Sequence, residues 1–197
     1  MSLPNPTSLL RCLPSGLRVT VARGDVVGSL AVRTNDTDTG SISLGGIECD
    51  SRCWLHTLVA DFNPRLRIGD VLTVDAAPAT GTVTWAFVLN VGPNTGNLIQ
   101  RCQVVLLDDL VTIGESDPIP CHLGLLAQDV LDSLGGFRPD DTQGFFIPEV
   151  LLPDGYEDLP EATPVTIHDE TFEVARVSRS ARHEVLCVTC QRRGAAS

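Results

Sequence analysis

From Val83 to Val91 the large apolar side chains Val83, Trp85, Phe87, Leu89 and Val91 alternate with Thr84, Ala86, Val88 and Asn90. A period of two belongs to a pleated strand, whose successive side chains point to opposite faces. Leu17, Val19 and Val21 alternate in the same way with Arg18, Thr20 and Ala22. Residues 28–33, 41–49, 52–60, 71–75 and 98–107 follow the pattern less strictly, and residues 165–168, 171–177 and 184–191 complete the series. Turn formers separate the runs: Gly24-Asp25, Asn35-Asp36-Thr37-Asp38, Gly45-Gly46, Gly92-Pro93-Asn94-Thr95-Gly96 and residues 179–182. Short strands at such spacings predict a mostly β chain, an antiparallel β-barrel or sandwich. Trp85, Phe87 and Leu89 are expected to lie together in the core, so that truncating Trp85 to Ala would cost about 3–5 kcal/mol.

One segment departs from this rhythm. Leu123, Leu126, Val130 and Leu134 fall at helical spacing, and Gly135-Gly136 follows as a stop, which predicts one inserted α-helix over residues 122–134. Residues 137–164 hold five prolines and little periodicity, and are expected to form a long loop or arm of functional importance. The chain is thus expected to divide into a barrel-like region (1–113), a helix-and-arm insertion (114–160) and C-terminal β-hairpins (161–197). A faint internal echo links Arg67-Ile68-Gly69-Asp70-Val71 and the Trp85 strand to Thr163-Pro164-Val165-Thr166-Ile167 and the Phe172 strand. Convergence of β-hairpins explains it as well as duplication does.

Composition narrows the function. The 197 residues carry 25 acids and 14 bases, a formal charge of −11, and every base is arginine. So acidic a chain lacks the net positive potential for broad phosphate binding, and no sequence-specific nucleic-acid partner is expected. No apolar run approaches the roughly 20 residues of a membrane helix. The stretch Leu9 to Leu13 is broken by Arg11 and ended by Pro14, unlike a secretory signal. Seven cysteines, an odd number, argue for reduced thiols over a disulfide framework. Cys187 and Cys190 lie three apart on a strand and should face opposite ways, while Cys49 and Cys53 would be about 13 Å apart. No metal and no cofactor are expected.

No phosphate-cradling Gly-x-x-x-x-Gly-Lys, Gly-x-Ser-x-Gly or His-Glu-x-x-His motif is present. His56 or His168 could meet a cysteine and an acid in space, but nothing local activates such a trio. His168-Asp169-Glu170 reads as a solvated hairpin turn. Asn35-Asp36-Thr37-Asp38-Thr39 lacks the glycine and terminal glutamate of a calcium loop and reads as a polar hairpin loop. The expectation is a chain without enzymatic activity.

The stretch Ile47-Glu48-Cys49-Asp50-Ser51-Arg52, followed by Pro64-Arg65-Leu66-Arg67-Ile68-Gly69-Asp70-Val71-Leu72-Thr73-Val74, resembles small head-tail joining proteins of tailed bacteriophages. Glu170-Thr171-Phe172-Glu173-Val174-Ala175-Arg176-Val177, with residues 185–193, is similar to the closing hairpin of phage neck and tail-completion proteins. The likeness spans about half of the chain. It implies a virion component assembled in the host cytoplasm, a homo-oligomeric ring between portal and tail that contacts portal, adaptor and tail proteins. No catalytic residue carries over. A capsid decoration (cement) protein is a nearby alternative; from another class, a small β-barrel enzyme or ligand-binding protein could use Trp54, Trp85 or a histidine within a cavity.

Charge suggests how such a ring would close. Residues 108–173 hold 16 acids and one base, Arg138, whereas five arginines fall within the last 22 residues. Unlike patches on one subunit suit a head-to-tail contact, which can close into a ring. The acidic arm at Asp154, Glu157, Asp158 and Glu161 is expected to lie on a neighbour's Arg176, Arg179 and Arg182.

Overall fold

The computed structural model describes residues 16–23, 26–37, 42–49, 52–58, 65–75, 83–92, 99–134, 141–180, 182 and 184–192. The protein is mostly β, as its alternation requires, with one short helix among the described residues. It divides into two compact units. The first comprises residues 1–39 and 51–106, the second residues 40–50 and 107–197. The expected boundaries near 113 and 160 are therefore replaced by one near 106, and a short excursion at 40–50 belongs to the second unit.

The first unit is a closed antiparallel barrel of six strands: β1 (Gly16–Arg23), β2 (Val26–Thr37), β5 (Arg52–Leu58), β6 (Val71–Asp75), β7 (Val83–Val91) and β8 (Ile99–Leu107). Their order around the barrel is β1-β2-β5-β8-β7-β6, and β6 returns to β1 through pairs such as Val19 with Val74. Leu66, Leu72, Ala86, Val88, Cys102 and Val104 pack into one buried cluster. On β7 this cluster uses the even-numbered face. Phe87 and Leu89 are also buried, but Trp85 is only half-buried. Alternation singles out the larger side chains, whereas the tight interior of the barrel takes the smaller ones, Ala86 and Val88. Asn35, Asp36 and Thr37 lie in β2, at a bulge opposite Trp54 and Cys53, and not in a hairpin loop.

The second unit holds β9 (Asp109–Ile113), β10 (Ile119–Leu126), β11 (Thr142–Pro148), β12 (Pro164–Ile167), β13 (Glu170–Ser180) and β14 (Val185–Arg192). The pairings run β11-β14-β13-β12-β9-β10, and β10 pairs with β11 again at His122–Phe146. They form a second closed ring. Each of its strands contributes alternate residues to one core: Val111 and Ile113, Ile119 and Cys121, Phe145 and Ile147, Val165 and Ile167, Phe172 and Val174, then Leu186, Val188 and Cys190. In both rings the strands taken in chain order lie first, second, third, sixth, fifth, fourth around the circle.

A hairpin, β3 (Ile42–Leu44) and β4 (Ile47–Cys49), extends the second sheet through β4–β10 pairing. It arises in the chain between β2 and β5 of the first barrel, yet it packs within the second unit. Gly45 and Gly46 form its tip with φ of 57° and 86°. A β-carbon on Gly45 would lie 2.7 Å from the Cβ of Cys187, and one on Gly46 would collide with Val130. Only glycine allows both the backbone and this approach.

Two expectations fail here. The stretch 122–134 is not a continuous helix: residues up to Leu126 form β10, and α1 covers only Gln128–Ser133. Residues 137–164 are not one long loop or arm, since β11 and a 3-10 turn (Glu149–Leu151) lie within them. Beyond the 3-10 turn the segment packs on its own barrel, with Leu151, Leu152 and Tyr156 against the core and Leu159 1% exposed within it.

Candidate functional site

The segment before the fourth strand of each barrel supplies a plug that repeats residue by residue. Leu66 enters the first core and Leu159 the second. In the first barrel Gly69 N–H donates to the Val88 carbonyl (3.0 Å), Val88 N–H to the Asp70 carbonyl (2.9 Å) and Asp70 N–H to the Arg67 carbonyl (3.2 Å). In the second, Ala162 N–H donates to the Val174 carbonyl (2.8 Å), Val174 N–H to the Thr163 carbonyl (3.0 Å) and Thr163 N–H to the Pro160 carbonyl (3.3 Å). Gly69 and Ala162 both have positive φ, 94° and 62°.

The change from Asp70 in the first plug to Thr163 in the second has a physical reason. Asp70 Oδ2 accepts the Arg67 N–H at 2.9 Å. Pro160 has no N–H to give, so an acceptor at 163 would be idle. Thr163 Oγ1 donates instead to the Pro160 carbonyl at 2.6 Å. The internal echo in the sequence therefore marks equivalent positions of two barrels of like connectivity. The Gly69-Asp70 pair that carries part of the phage likeness is a strand-entry turn.

The plugs differ in charge. Arg65 and Arg67 flank Leu66, and both are exposed. Leu66 is tied to β8 because its N–H donates to Gln100 Oε1 (3.2 Å) and its carbonyl accepts Gln100 Nε2 (2.7 Å). The next residue of β8 is the exposed Arg101. The buried Asp70 lies 3.7 Å from the Arg67 guanidinium. In the second barrel the exposed Asp154, Glu157, Asp158 and Glu161 surround Leu159 in sequence. Hydrogen bonds from backbone N–H groups, its own first and then that of Gly155, hold the Glu157 carboxyl below its usual range.

The arginine hairpin expected to receive a neighbour's arm already holds the arm of its own chain. Arg179 Nε lies 3.1 Å from Glu149 Oε1, and its NH2 donates to the Glu157 carbonyl at 2.6 Å and lies 3.9 Å from Asp158 Oδ1. Arg176 NH1 donates to Ser133 Oγ at 3.3 Å, and Arg182 is exposed in the β13–β14 turn. Arg192 pairs with Glu170. Sequence spacing could not reveal this closure, because residues 149–158 and 179 meet only through the β11–β14–β13 pairings.

The described histidine side chains, His122 and His168, both belong to the second unit and occupy different settings. His168 and Asp169 form the β12–β13 turn with φ of 47° and 66°, as the turn reading expects, and His168 Nε2 lies 2.7 Å from Asp109 Oδ1. His122 is buried against Phe146, ring centres 5.2 Å apart, with Nδ1 3.4 Å from Asp108. Cys190 lies in the barrel core while Cys187 faces the Gly45 tip, the opposite orientations that their spacing predicts. Among the described residues no three His, Cys, Asp or Glu side chains converge on a possible metal position. An open groove on the second unit is lined by Glu115, Ser116, Asp117, Pro118, Leu151 and Pro153, among others. His183, Asp38 and Thr39 lie outside the described residues. No protein-family model matches the chain, and no curated protein or solved structure shows significant similarity to it.

Proposed function

We propose that the chain is a structural subunit of a tailed-phage particle, a head-tail connector or neck protein that assembles into an oligomeric ring between portal and tail. The observation that carries this reading is where the phage-like segments fall. Residues 65–74 build the plug turn and β6, and residues 170–177 and 185–192 build the β13–β14 hairpin. The likeness thus lies on elements that define the two barrels. Closure supports the same reading: a barrel pairs its own strand edges, so contacts with other subunits fall to side chains on its surface and ends. The described surface is rich in charge.

Imaging and native mass measurement of the purified protein test the proposal. Closed rings, or incorporation into phage particles at the neck, are the expected result. A protein that stays monomeric at every concentration and never joins a particle would overturn it.

A further inference from the structure

Asp154 is followed by Gly155, and no other aspartate or asparagine of the chain stands immediately before a glycine. Such a pair can rearrange without an enzyme. The glycine nitrogen attacks the side-chain carbonyl carbon of the aspartate, water leaves, and a succinimide ring forms. Water then opens the ring at either carbonyl, restoring aspartate or leaving isoaspartate, whose backbone runs through the former side chain. Glycine favours the attack because no β-carbon shields its nitrogen.

The structure adds a base to this pair. Residues 153–156 form a turn in which Tyr156 N–H donates to the Pro153 carbonyl at 3.1 Å and Gly155 has a φ of 87°. Asp154 and Gly155 are both exposed, and nothing lies within 4 Å of where a β-carbon on Gly155 would stand. The Asp154 carboxyl makes no hydrogen bond or ion pair among the described residues, so its side chain can rotate toward the nitrogen. The Gly155 N–H itself donates to Glu157 Oε1 at 3.1 Å.

We propose that Asp154-Gly155 is a self-modifying site, at which Glu157 is the general base for conversion of Asp154 to isoaspartate. As the bond from the Gly155 nitrogen to the Asp154 Cγ forms, Glu157 takes the amide proton. The bond from Cγ to the hydroxyl of the acid form of Asp154 then breaks, and the hydroxyl leaves as water with that proton. Ring opening consumes one water, so the net change is an isomerisation and needs no other reactant. The step requires a protonated aspartate beside an ionised glutamate. Backbone hydrogen bonds hold the Glu157 carboxyl below its usual range, which keeps the base ionised at mildly acidic pH. The product has a structural consequence: a methylene added to the backbone between Pro153 and Tyr156 disrupts the turn bond. It thereby loosens Tyr156, whose hydroxyl packs beside Gly114. The site does not depend on ring formation.

Ageing the full-length protein at mildly acidic pH tests the proposal, with peptide mapping by a fragmentation method that separates aspartate from isoaspartate. Isoaspartate should accumulate at position 154. Glu157→Gln keeps a hydrogen-bond acceptor but removes the base, and should slow the reaction about tenfold or more. In denaturant, where Glu157 is no longer held on Gly155, parent and variant should react alike. A merely structural Glu157 would give the opposite sign, since loosening the turn would speed the reaction. Should the variant misfold by circular dichroism, the parent's pH profile carries the same test: its native rate should rise on mild acidification and fall again once Glu157 is protonated. No isoaspartate at 154 in native protein, a folded Glu157→Gln variant that reacts as fast as the parent, or a native rate that keeps rising into strong acid would overturn the proposal.

Discussion

Burial sets the chemistry of the four described thiols. Desolvation pushes Cys102 up to about 12, with the Asp70 carboxylate adding to it. Burial likewise raises Cys187 to about 11 and Cys190 to about 12, and it raises Cys121 further still. A thiolate is the reactive form, so these cysteines are inert packing groups. At pH 8 a thiol reagent should therefore modify at most the other three of the seven cysteines in native protein, and all seven in denaturant. The linkage has a definite sign. An unfolded thiol ionises near 9.0 while the buried ones keep their protons, so their contribution is intact below about pH 9 and is lost progressively above it. A thermal midpoint that rose between pH 9 and 11 would contradict this. Gln100 offers a second test at this scale. Its amide satisfies both the N–H and the carbonyl of Leu66, so Gln100→Leu leaves two buried backbone groups unsatisfied and should cost about 1–3 kcal/mol for each. Denaturant unfolding measures the loss.

Elements were legible where side-chain size or polarity alternates along the sequence, even where, as at residues 86–89, both faces are buried. The clean alternation of β7 announced a strand, although the cluster formed on its smaller face. β10 looked helical because its partner changes along its length: β9 at residues 119–121, β11 at 122–124 and β4 at 125–126. Burial along β10 follows no period of two, since Cys121 and His122 are both buried while Leu125 is 77% exposed, and Leu123, Leu126 and Val130 fall by chance at helical intervals. β11 escaped for the same reason, since Phe145, Phe146 and Ile147 are all buried and a continuous apolar run has no period to read. The plug turn shows how backbone conformation escapes pattern reading. Gly69 has a φ of 94°, which an L side chain resists. Gly69→Ala should therefore destabilise the protein by about 1–2 kcal/mol. The equivalent Ala162 already bears that strain at φ 62°, so Ala162→Gly should be neutral or mildly stabilising, as relief offsets the greater freedom of the unfolded glycine. Equal losses in both variants would mean that the two turns are not equivalent.

At the scale of the whole molecule, neither unit is a continuous stretch of chain. Residues 40–50 leave the first barrel after β2, form β3 and β4 in the second unit, and return to begin β5. The insertion contributes real core: Leu44 is 4% exposed, Ile47 is fully buried, and Ala127 N–H donates to the Gly46 carbonyl at 2.7 Å. Sequence gave the turn at Gly45-Gly46 but not its destination, because the β4–β10 pairing joins residues more than 70 positions apart. The interlacing makes an unusual prediction about where damage appears. Ile47→Ala removes a buried aliphatic side chain and should cost about 2–5 kcal/mol. Although residue 47 lies in the chain among strands of the first barrel, the loss should be felt in the second. Hydrogen exchange should show reduced protection in β10, β13 and β14, and the Cys187 thiol beneath the hairpin tip should become reactive at pH 8. Cys190, enclosed in the ring, should stay protected, and β6 to β8 should exchange as in the parent. If protection instead fell first in β6 to β8, the hairpin would be stabilising the first barrel, and the division of the chain into these two units would be wrong.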